Sequence, residues 1–389
     1  LGPTRASVAL TVVAAATECL RLLTGAGVAV SDALRQISFR LVADDDQFMT
    51  IAKFRAARQL WGRVADALGH PDDGAARVHA VTSLPMMTQR DPWVNMLRTT
   101  VAVFGAGIGG ADTVQVMPFD VAIPGGYPTV STDFARRIAR NTQLLLLEES
   151  HLGRVLDAAG GSWYVEQLTE TLAAQSWSHF QDIEARGGFC SARDHIAEQI
   201  DRVRGRRAED IAHRLTAVTG VNEFPNLDER PLPQTGVAAA VRRYASAFEA
   251  LRDRSDGHLA RTGARPRVLL LPLGPLAENN IRATFAANLL ACGGIETVNP
   301  GNIAADGVGA AVRDSGTGVA VICGTDARYG SEAQGVIAAA RSAGVGQVLL
   351  AGPEKAVAAI PPEARPDGYL TAKIDAVEAL SALLTRLGA

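Results

Sequence analysis

Apolar segments alternate with helical segments from residue 267 to the end of the chain, and this alternation restricts the fold more than any other feature of the sequence. Five segments are predicted strands: RVLLL (267–271), IETV (295–298), GVAVICG (318–324), QVLLAG (347–352) and GYLTA (368–372). Helices are predicted between and after them, at about 277–292, 304–314, 331–343, 354–359 and 374–388. This pattern predicts a five-stranded doubly wound α/β domain of the flavodoxin-like type.

Residues 1–150 repeat the alternation less regularly. Strand-like segments stand at ISFRL (37–41), RVHAVTS (77–83) and DTVQVMPF (112–119). The predicted helices cover about 46–68, run from Asp91-Pro92 to about 105, and cover 131–150 with Ser131 or Thr132 as the cap. Three such units in succession imply a second parallel sheet. A closed eight-stranded barrel takes about 250 residues, so this region is at most the later part of one.

Residues 151–266 are predicted to form a mainly helical linker. One long helix covers 160–188 and ends at paired glycines, and one or two more cover 191–220. The stretch 221–236 is rich in Pro and polar residues and is interpreted as an irregular strap, and a charged helix is predicted at 237–255. The tail DGHLARTGARP (256–266) then gives the clearest domain boundary. The predicted domains are 1–150, 151–266 and 267–389.

Composition excludes several classes of function. The formal net charge is −3 and 20% of residues are charged, which favours neither nucleic acid nor an anionic membrane as a partner. The four cysteines stand far apart without a CxxC pair, so neither a zinc site nor a disulfide framework is expected. There is no apolar run long enough for a membrane span and no signal-peptide pattern. We therefore expect a soluble cytoplasmic protein, and a chain beginning at Leu1 inside a helix looks like the middle of a longer one.

Several features that suggest a function have simpler explanations. GAGIGG (105–110) ends a helix instead of following a strand, so it lacks the context of a dinucleotide site. His79 is interpreted as a core or rim residue in preference to a barrel-mouth ligand. Glycines at 160–161 are explained by backbone geometry, and Cys292 and Cys323 as small buried side chains. A polar cluster on the helix predicted at 131–150 is interpreted as structural and not as catalytic. It consists of Arg136, Arg137, Arg140, Asn141, Glu148 and Glu149.

The turn after the first strand of the doubly wound segment, Leu273-Gly274-Pro275, is where such a fold usually binds a cofactor. A turn at this place points the N-terminus of the next helix at whatever lies above the sheet. This turn nevertheless carries no His, no Cys and no glycine-rich phosphate cradle. The sequence therefore combines a ligand-type fold with a turn that lacks ligands.

Three longer segments resemble methylmalonyl-CoA mutase: FMTIAKFRAARQLWGRV (48–64), QRDPWVNMLRTTVAVFGAGIGGADTVQV (89–116) and ARRIARNTQLLLLEESHLGRVLDAAGGSWYVEQLTETLAAQSW (135–177). They are similar to the later barrel strands and connecting helices of that family, and the doubly wound segment stands where the family keeps its cobalamin domain. The resemblance implies the later part of a TIM-type (β/α)8 barrel, a helical linker and a flavodoxin-like cobalamin-binding-type domain, without the N-terminal part of the barrel.

The same resemblance implies that the cofactor groups are lost. The catalytic chains of the family carry an Asp-x-His-x-x-Gly motif in this turn, and here its positions hold Leu276, Glu278 and Ile281. Glu278 cannot replace an imidazole ligand of cobalt, and Leu276 cannot replace the carboxylate that tunes it. Two later cofactor turns become Gly324-Thr325-Asp326 and Ala351-Gly352-Pro353. We expect no cofactor-binding, metal-binding or catalytic residue on this chain.

The barrel region shows the same change. A His-Thr-Asn run of the catalytic chains falls on Gln115, Val116 and Met117. The resemblance offers Arg55 and Arg58, next to Lys53, as weak candidates for substrate binding near the CoA phosphates. A helix face with its own salt bridges is the favoured alternative for these side chains.

The resemblance implies the small, non-catalytic subunit of a heterodimeric mutase of propionate metabolism. Its catalytic large subunit is expected to bind acyl-CoA and adenosylcobalamin and to interconvert methylmalonyl-CoA and succinyl-CoA. Two alternatives stay open. One is a catalytically competent cobalamin-dependent acyl-CoA mutase of related specificity, and the other is an acyl-CoA-binding pseudo-enzyme that acts as a sensor or scaffold.

Overall fold

The structure is a computed structural model that describes residues 6–233 and 241–389. These residues form two compact units. Unit 1 holds residues 6–208 and 241–243, and unit 2 holds 209–233 and 244–389. The predicted linker, 151–266, therefore contributes to both units. Part of the predicted strap and the start of the helix predicted at 237–255 lie outside the described residues.

Unit 1 contains a parallel three-stranded sheet in the order β1 (Ser38–Ala43), β2 (Arg77–Thr82), β3 (Thr113–Gln115). Buried and exposed residues alternate along β1, as expected of a strand with one face on the core. The strand predicted at 112–119 was too long. The backbone N–H of Met117 turns away to the side-chain oxygen of Thr82, at 2.9 Å, and Pro118 has no N–H to continue the ladder.

Seven helices are described in whole or in part within unit 1: α1 (Ala6–Gly25), α2 (Val30–Gln36), α3 (Gln47–Ala67), α4 (Val94–Ile108), α5 (Thr132–Leu144), α6 (Trp163–Ala185) and α7 (Arg193–Ala212). Ser131 caps α5 by accepting the N–H of Phe134 at 3.2 Å, so of the two proposed caps Ser131 is the one used. The helix predicted to reach residue 150 stays α-helical only to Leu144 and then widens into a π-helical turn.

The predicted long helix before the paired glycines is confirmed as α6. Gly187 and Gly188 follow it with φ of 93° and 86°, a region that side chains with a Cβ rarely occupy. Helix α3 packs on α6, α1 and α4. Its buried face is rich in alanine and includes Phe54 and Trp61, which are both 0% exposed. This face is the centre of the unit's helical core.

Unit 2 is built on a parallel five-stranded sheet, and its strands are β4 (Arg267–Pro272), β5 (Glu296–Val298), β6 (Val319–Cys323), β7 (Gln347–Ala351) and β8 (Gly368–Leu370). Its helices are α8 (Ser246–Thr262), α9 (Leu276–Cys292), α10 (Val308–Ser315), α11 (Asp326–Ser342) and α12 (Ala376–Arg386), together with the end of α7. The spatial order is β5-β4-β6-β7-β8, the 2-1-3-4-5 order of flavodoxin-like sheets.

The predicted α/β class with parallel sheets is thus confirmed. The segment predicted as a helix at 354–359 is only a 3₁₀ turn, Glu354–Val357, and α11 begins five residues before its predicted start. The sheet is buried on both faces: Val268 and Leu270 contact one apolar cluster, and Leu269 and Leu271 contact the other. The assignment of unit 1 to a TIM-type barrel stays a prediction. No described helix is long and apolar enough to cross a membrane.

Candidate functional site

The carboxyl edge of the unit 2 sheet is the edge at which doubly wound folds bind their ligands. In a sheet of this order, the connections from the first and third strands leave in opposite directions and open a crevice above the carboxyl ends. Here these strands are β4 and β6, and the turns that follow them are Leu273-Gly274-Pro275 and Gly324-Thr325. The side chain of Asn279 holds the first turn by donating to the carbonyl of Gly274 at 2.8 Å.

An ion-pair cluster bridges this crevice. Arg328, in the first turn of α11, donates to Glu278, in the first turn of α9, with Nε–Oε2 2.7 Å and Nη2–Oε1 3.3 Å. Its Nη1 donates to Glu332 at 2.6 Å. We call these three side chains the clasp. The Arg328 guanidinium holds the pKa of Glu278 below its usual range, and the two carboxylates raise the pKa of Arg328.

The glycine of the first turn is needed for the clasp. Gly274 has φ of 71°, and a Cβ built on it would lie 2.7 Å from Nε of Arg328. Both the backbone conformation and the close approach of the guanidinium therefore favour glycine at this position. The turn that other domains of this type keep for a ligand is filled here by the chain's own arginine.

The two later turns are also used internally. Arg282 donates to Asp326 at 3.2 Å and to the carbonyl of Ala351 at 3.1 Å. A Cβ at Gly352 would lie 2.8 Å from Nη1 of the same arginine. Thr325 caps α11 by accepting the N–H of Arg328 at 3.3 Å. The side chains of Arg282, Thr325 and Asp326 are thus paired within the unit.

A buried tyrosine connects the ends of two strands at this edge of the sheet. Tyr329 is 0% exposed, and its hydroxyl accepts the N–H of Gly324 at 2.9 Å while donating to the carbonyl of Ala351 at 2.7 Å. It therefore ties the carboxyl ends of β6 and β7 together. Burial raises the pKa of the Tyr329 hydroxyl, so it stays protonated.

The positions predicted to have lost cobalamin contacts lie where the clasp is. Leu276 is 72% exposed, Ile281 is 76% exposed and Glu278 is paired with Arg328. None of the three offers the neutral nitrogen that cobalt would take from a histidine. Among the described residues, no group of three or more His, Cys, Asp or Glu side chains is placed to hold a metal ion. The residues at this edge do not fit a cobalamin held by a lower protein ligand.

In unit 1, a polar network centred on the buried side chains of Asn95 and Arg98 joins the loops at the carboxyl ends of all three strands. Asn95, 0% exposed, donates to the carbonyls of Thr88, after β2, and Phe119, after β3, at 2.8 Å each. Its Oδ1 accepts from Arg98 Nη1 at 2.8 Å and from the N–H of Thr88 at 3.0 Å. Arg98 also lies 3.8 Å from Asp45, in the loop after β1. Partial burial, with the neighbouring Asp44, raises the pKa of Asp45 to about 7, although its side chain is still 42% exposed.

Sequence reasoning missed this network and the clasp. The only local signal was the presence of Asn95 and Arg98, three residues apart on a helix that otherwise buries apolar and small side chains. At the matched His-Thr-Asn positions, Gln115 is exposed and accepts from Arg40 at 2.9 Å, while Val116 and Met117 are half-buried. They form no cluster of polar side chains.

Arg55 and Arg58 both contact other parts of unit 1. Arg55 pairs with Asp157 and, at 2.7 Å, with Glu166, whose other oxygen accepts the N–H of Gly161 at 3.1 Å. This N–H and Arg55 lower the pKa of Glu166. Arg58 donates to the carbonyls of Ala76 (2.7 Å) and Gly110 and to Asp112 (2.9 Å). These last three precede β2 and β3, so Arg58 lies at the amino end of the sheet. Substrate binding by these arginines stays a prediction.

The remaining candidates are dispersed. His79 is half-buried on β2, with Nδ1 2.6 Å from the hydroxyl of Thr113. The arginines of the polar cluster are exposed on α5, and Lys53 contacts the carbonyl of Val42. Cys292 and Cys323 are confirmed as buried, and burial raises the pKa of each thiol to about 12. None of these groups joins a candidate site.

Fold and site together define a class: an α/β protein with two parallel sheets. The five-stranded sheet has the strand order of flavodoxin-like domains, which bind ligands at the carboxyl edge. In this chain, ion pairs between its own side chains occupy that edge. A family model described as methylmalonyl-CoA mutase matches residues 3–263. The chain belongs to the methylmalonyl-CoA mutase family.

Three relatives illustrate the similarity. The probable methylmalonyl-CoA mutase small subunit of Mycobacterium bovis is 68% identical over 390 residues, covering 100% of this chain and 63% of the relative. The small subunit of Streptomyces virginiae is 48% identical, over 96% of this chain and 60% of the relative. That of Propionibacterium freudenreichii subsp. shermanii is 35% identical, over 96% and 59%. The chain therefore spans about 60% of the length of these relatives.

Proposed function

We propose that this chain is part of the small subunit of a methylmalonyl-CoA mutase and that it performs no chemistry itself. In this proposal the catalytic large subunit binds acyl-CoA and adenosylcobalamin and interconverts methylmalonyl-CoA and succinyl-CoA. The small subunit supports its partner as a cytoplasmic heterodimer. The relatives that match the whole chain are named as small subunits, which supports the assignment.

The single observation that carries the non-catalytic role is the pairing of Glu278 with Arg328. A carboxylate in this position is a poor substitute for imidazole, and here it is also held by a guanidinium at 2.7 Å. Arg328 also pairs with Glu332 at 2.6 Å, so its side chain is fixed in the space beside the first turn. The clasp therefore opposes ligand entry at the edge where a corrin would sit.

We further infer that unit 1 belongs to the acyl-CoA mutase barrel and unit 2 to the cobalamin-binding-type domain of the family. The family match over residues 3–263 and the parallel β1-β2-β3 sheet support the first assignment. The 2-1-3-4-5 strand order supports the second. In both parts, polar positions matched to ligand groups hold side chains that pair within the chain or are apolar.

The test is a spectroscopic titration of the full-length small subunit with adenosylcobalamin, followed by gel filtration. We expect no corrin absorbance to elute with the small subunit alone and a stoichiometric amount to elute with the heterodimer formed by co-expression with the large subunit. Mass measurement of the co-purified complex checks the partner. Corrin retained by the small subunit alone would reject the non-binding role, and failure to co-purify would reject the subunit assignment.

Arg55 and Arg58 allow a separate test of acyl-CoA binding. Calorimetry of the full-length subunit with succinyl-CoA should give no saturable heat, because both guanidiniums are already paired. Arg55→Met and Arg58→Met should not change that result, with Arg63→Met, an exposed arginine of the same helix, as the control. Saturable heat that Arg55→Met or Arg58→Met abolishes, and Arg63→Met does not, would favour the acyl-CoA-binding alternative.

A further inference from the structure

We propose that a groove between β8 and α12 in unit 2 binds an amphipathic monocarboxylate, with the alkyl chain on the groove floor and the carboxylate on Arg386. The groove has a volume of about 480 Å³, within the range of roughly 300–1,000 Å³ that small-molecule sites occupy. Gln347, one of its lining residues, begins β7 at the end of that strand opposite the clasp. The groove is therefore separate from the cofactor-type edge.

The floor of the groove is apolar. Leu349, Leu370 and Leu383 line it and are 5%, 3% and 4% exposed. The wall that α12 contributes includes Ala379 and Ala382, whose methyl groups leave the space open. Because β8 is the last strand of the five-stranded sheet, no further strand of that sheet covers this side. An alkyl chain that lies on this floor leaves water, which favours binding.

Two charged residues line the groove, Asp367 and Arg386, and they differ in their partners. Asp367 accepts from Arg341 at 2.8 Å and from the N–H of Val348 at 2.7 Å, so its negative charge is balanced. Arg386 donates to the carbonyl of Gly346, which is a neutral acceptor. No carboxylate in the part of the chain that the structure describes forms an ion pair with Arg386. The unbalanced charge at the rim is therefore positive and favours an anion.

The contact with Gly346 anchors the guanidinium of Arg386 and leaves donors for a ligand. A guanidinium has five N–H donors in a planar fork that matches a carboxylate, and Nη2 is the atom that contacts the carbonyl of Gly346. A Cβ at Gly346 would lie 2.9 Å from this nitrogen, so glycine permits the close approach. Because Arg386 is exposed, its ion pair with a ligand is screened by water. The floor would therefore supply most of the affinity, and Arg386 the preference for a carboxylate.

The test uses three probes with six-carbon chains on the full-length subunit: hexanoate, hexanamide and hexylammonium. Binding is followed by NMR shifts of isotope-labelled Leu349, Leu370 and Leu383 methyl groups. For a ligand this small we expect hexanoate to bind with a dissociation constant on the order of a millimolar. Hexanamide, which keeps the chain and lacks the charge, should bind about fivefold more weakly, as expected for the loss of an exposed ion pair. Hexylammonium should bind most weakly, and added salt should reduce the difference between hexanoate and hexanamide.

Substitutions separate the floor of the groove from its charge. Ala382→Phe, at an exposed position, should fill the groove and abolish the response to all three probes. Arg386→Met should leave hexanamide binding unchanged and reduce the preference for hexanoate over hexanamide to about one, whereas Arg386→Lys should keep most of that preference. Arg313→Met, an exposed α10 substitution that does not line the groove, should change nothing.

Three results would overturn the proposal. The first is the absence of a saturable shift with hexanoate. The second is a dissociation constant for hexanamide or hexylammonium that equals that of hexanoate in the unchanged subunit. The third is a preference for hexanoate that survives Arg386→Met.

Discussion

The carboxyl edges of the two parallel sheets are closed by polar contacts of opposite character. In unit 1 the central group is Asn95, which is 0% exposed and makes hydrogen bonds to the loops after β2 and β3. In unit 2 the outer group is the clasp, where the Arg328 side chain is 36% exposed. A buried amide that loses its partners leaves unsatisfied groups in a dry environment, whereas an exposed ion pair exchanges its contacts for water. The carboxyl edge of the unit 1 sheet therefore depends on Asn95 for stability. At the carboxyl edge of the unit 2 sheet, the clasp mainly fills the crevice.

This difference can be measured unit by unit because all four tryptophans, at positions 61, 93, 163 and 177, lie in unit 1. Tryptophan fluorescence in urea therefore follows the unfolding of unit 1 alone. Far-ultraviolet circular dichroism follows both units, so a change confined to the dichroism signal reports on unit 2.

The largest expected effect is that of Asn95→Ala. The substitution leaves two carbonyls, one N–H and the Arg98 guanidinium without their contacts to this side chain, so we expect a loss of about 3 kcal/mol in the free energy of unfolding of unit 1. Trp93 stacks on Phe119 at 5.0 Å between ring centroids, so fluorescence should report the change directly. Asn280→Ala on the exposed face of α9 is the control. A loss below about 1 kcal/mol would contradict the central role of the network.

The next effect is that of Tyr329→Phe in unit 2. Removing the hydroxyl leaves the N–H of Gly324 and one contact of the Ala351 carbonyl unsatisfied in a buried site, and we expect a loss of about 2 kcal/mol. The dichroism transition should move to lower urea while the fluorescence transition stays in place. Tyr369→Phe, at a half-buried position on β8, is the matched control and should lose less. Equal losses for the two variants would show that the Tyr329 hydroxyl has no special role.

A smaller, pH-dependent effect is expected at Asp45. Its folded pKa of about 7 exceeds the ordinary Asp value of about 3.9, so between these values the folded state binds more protons than the unfolded state. The free energy of unfolding of unit 1 should therefore fall as the pH rises from about 4 to 7. Asp45→Asn lacks this titration and should gain stability relative to the unchanged chain over that interval. Asp66→Asn, exposed on α3, controls for the lost negative charge; the same trend in both variants would refute the assignment.

The smallest effect is expected for Arg328→Met, because the clasp is exposed enough to be screened by solvent and salt. The dichroism midpoint should shift less than for Tyr329→Phe. Arg328 lowers the pKa of Glu278, so its contribution is present above the ordinary Glu pKa of about 4.3 and fades as the pH falls through the lowered value. Arg313→Met, exposed on α10, is the control. A midpoint shift as large as that of Tyr329→Phe would mean that the clasp stabilises unit 2 and does not merely fill its crevice.

The doubly wound sheet and the position of its cofactor-type turn could be predicted because their signals are local. Apolar strands, helix ends and the Gly274 turn each depend on a few neighbouring residues. The short β3 was predicted too long because the acceptor for Met117, the Thr82 hydroxyl, lies 35 residues away. The loss of ligand groups at Leu276, Glu278 and Ile281 was visible only through a family resemblance.

The sequence by itself determined the class of fold, the order of its elements and the absence of a histidine from the turn after β4, since these follow from residue type and spacing. Only the tertiary structure decided what those residues contact. It pairs Glu278 with Arg328 across 50 residues, Asn95 with the carbonyl of Phe119, and Arg58 with the amino end of a sheet. The physical reason is that apolar periodicity is a pattern of neighbouring residues and can be recognised in the sequence. The partner of a polar group depends instead on how distant segments are positioned once the core has formed.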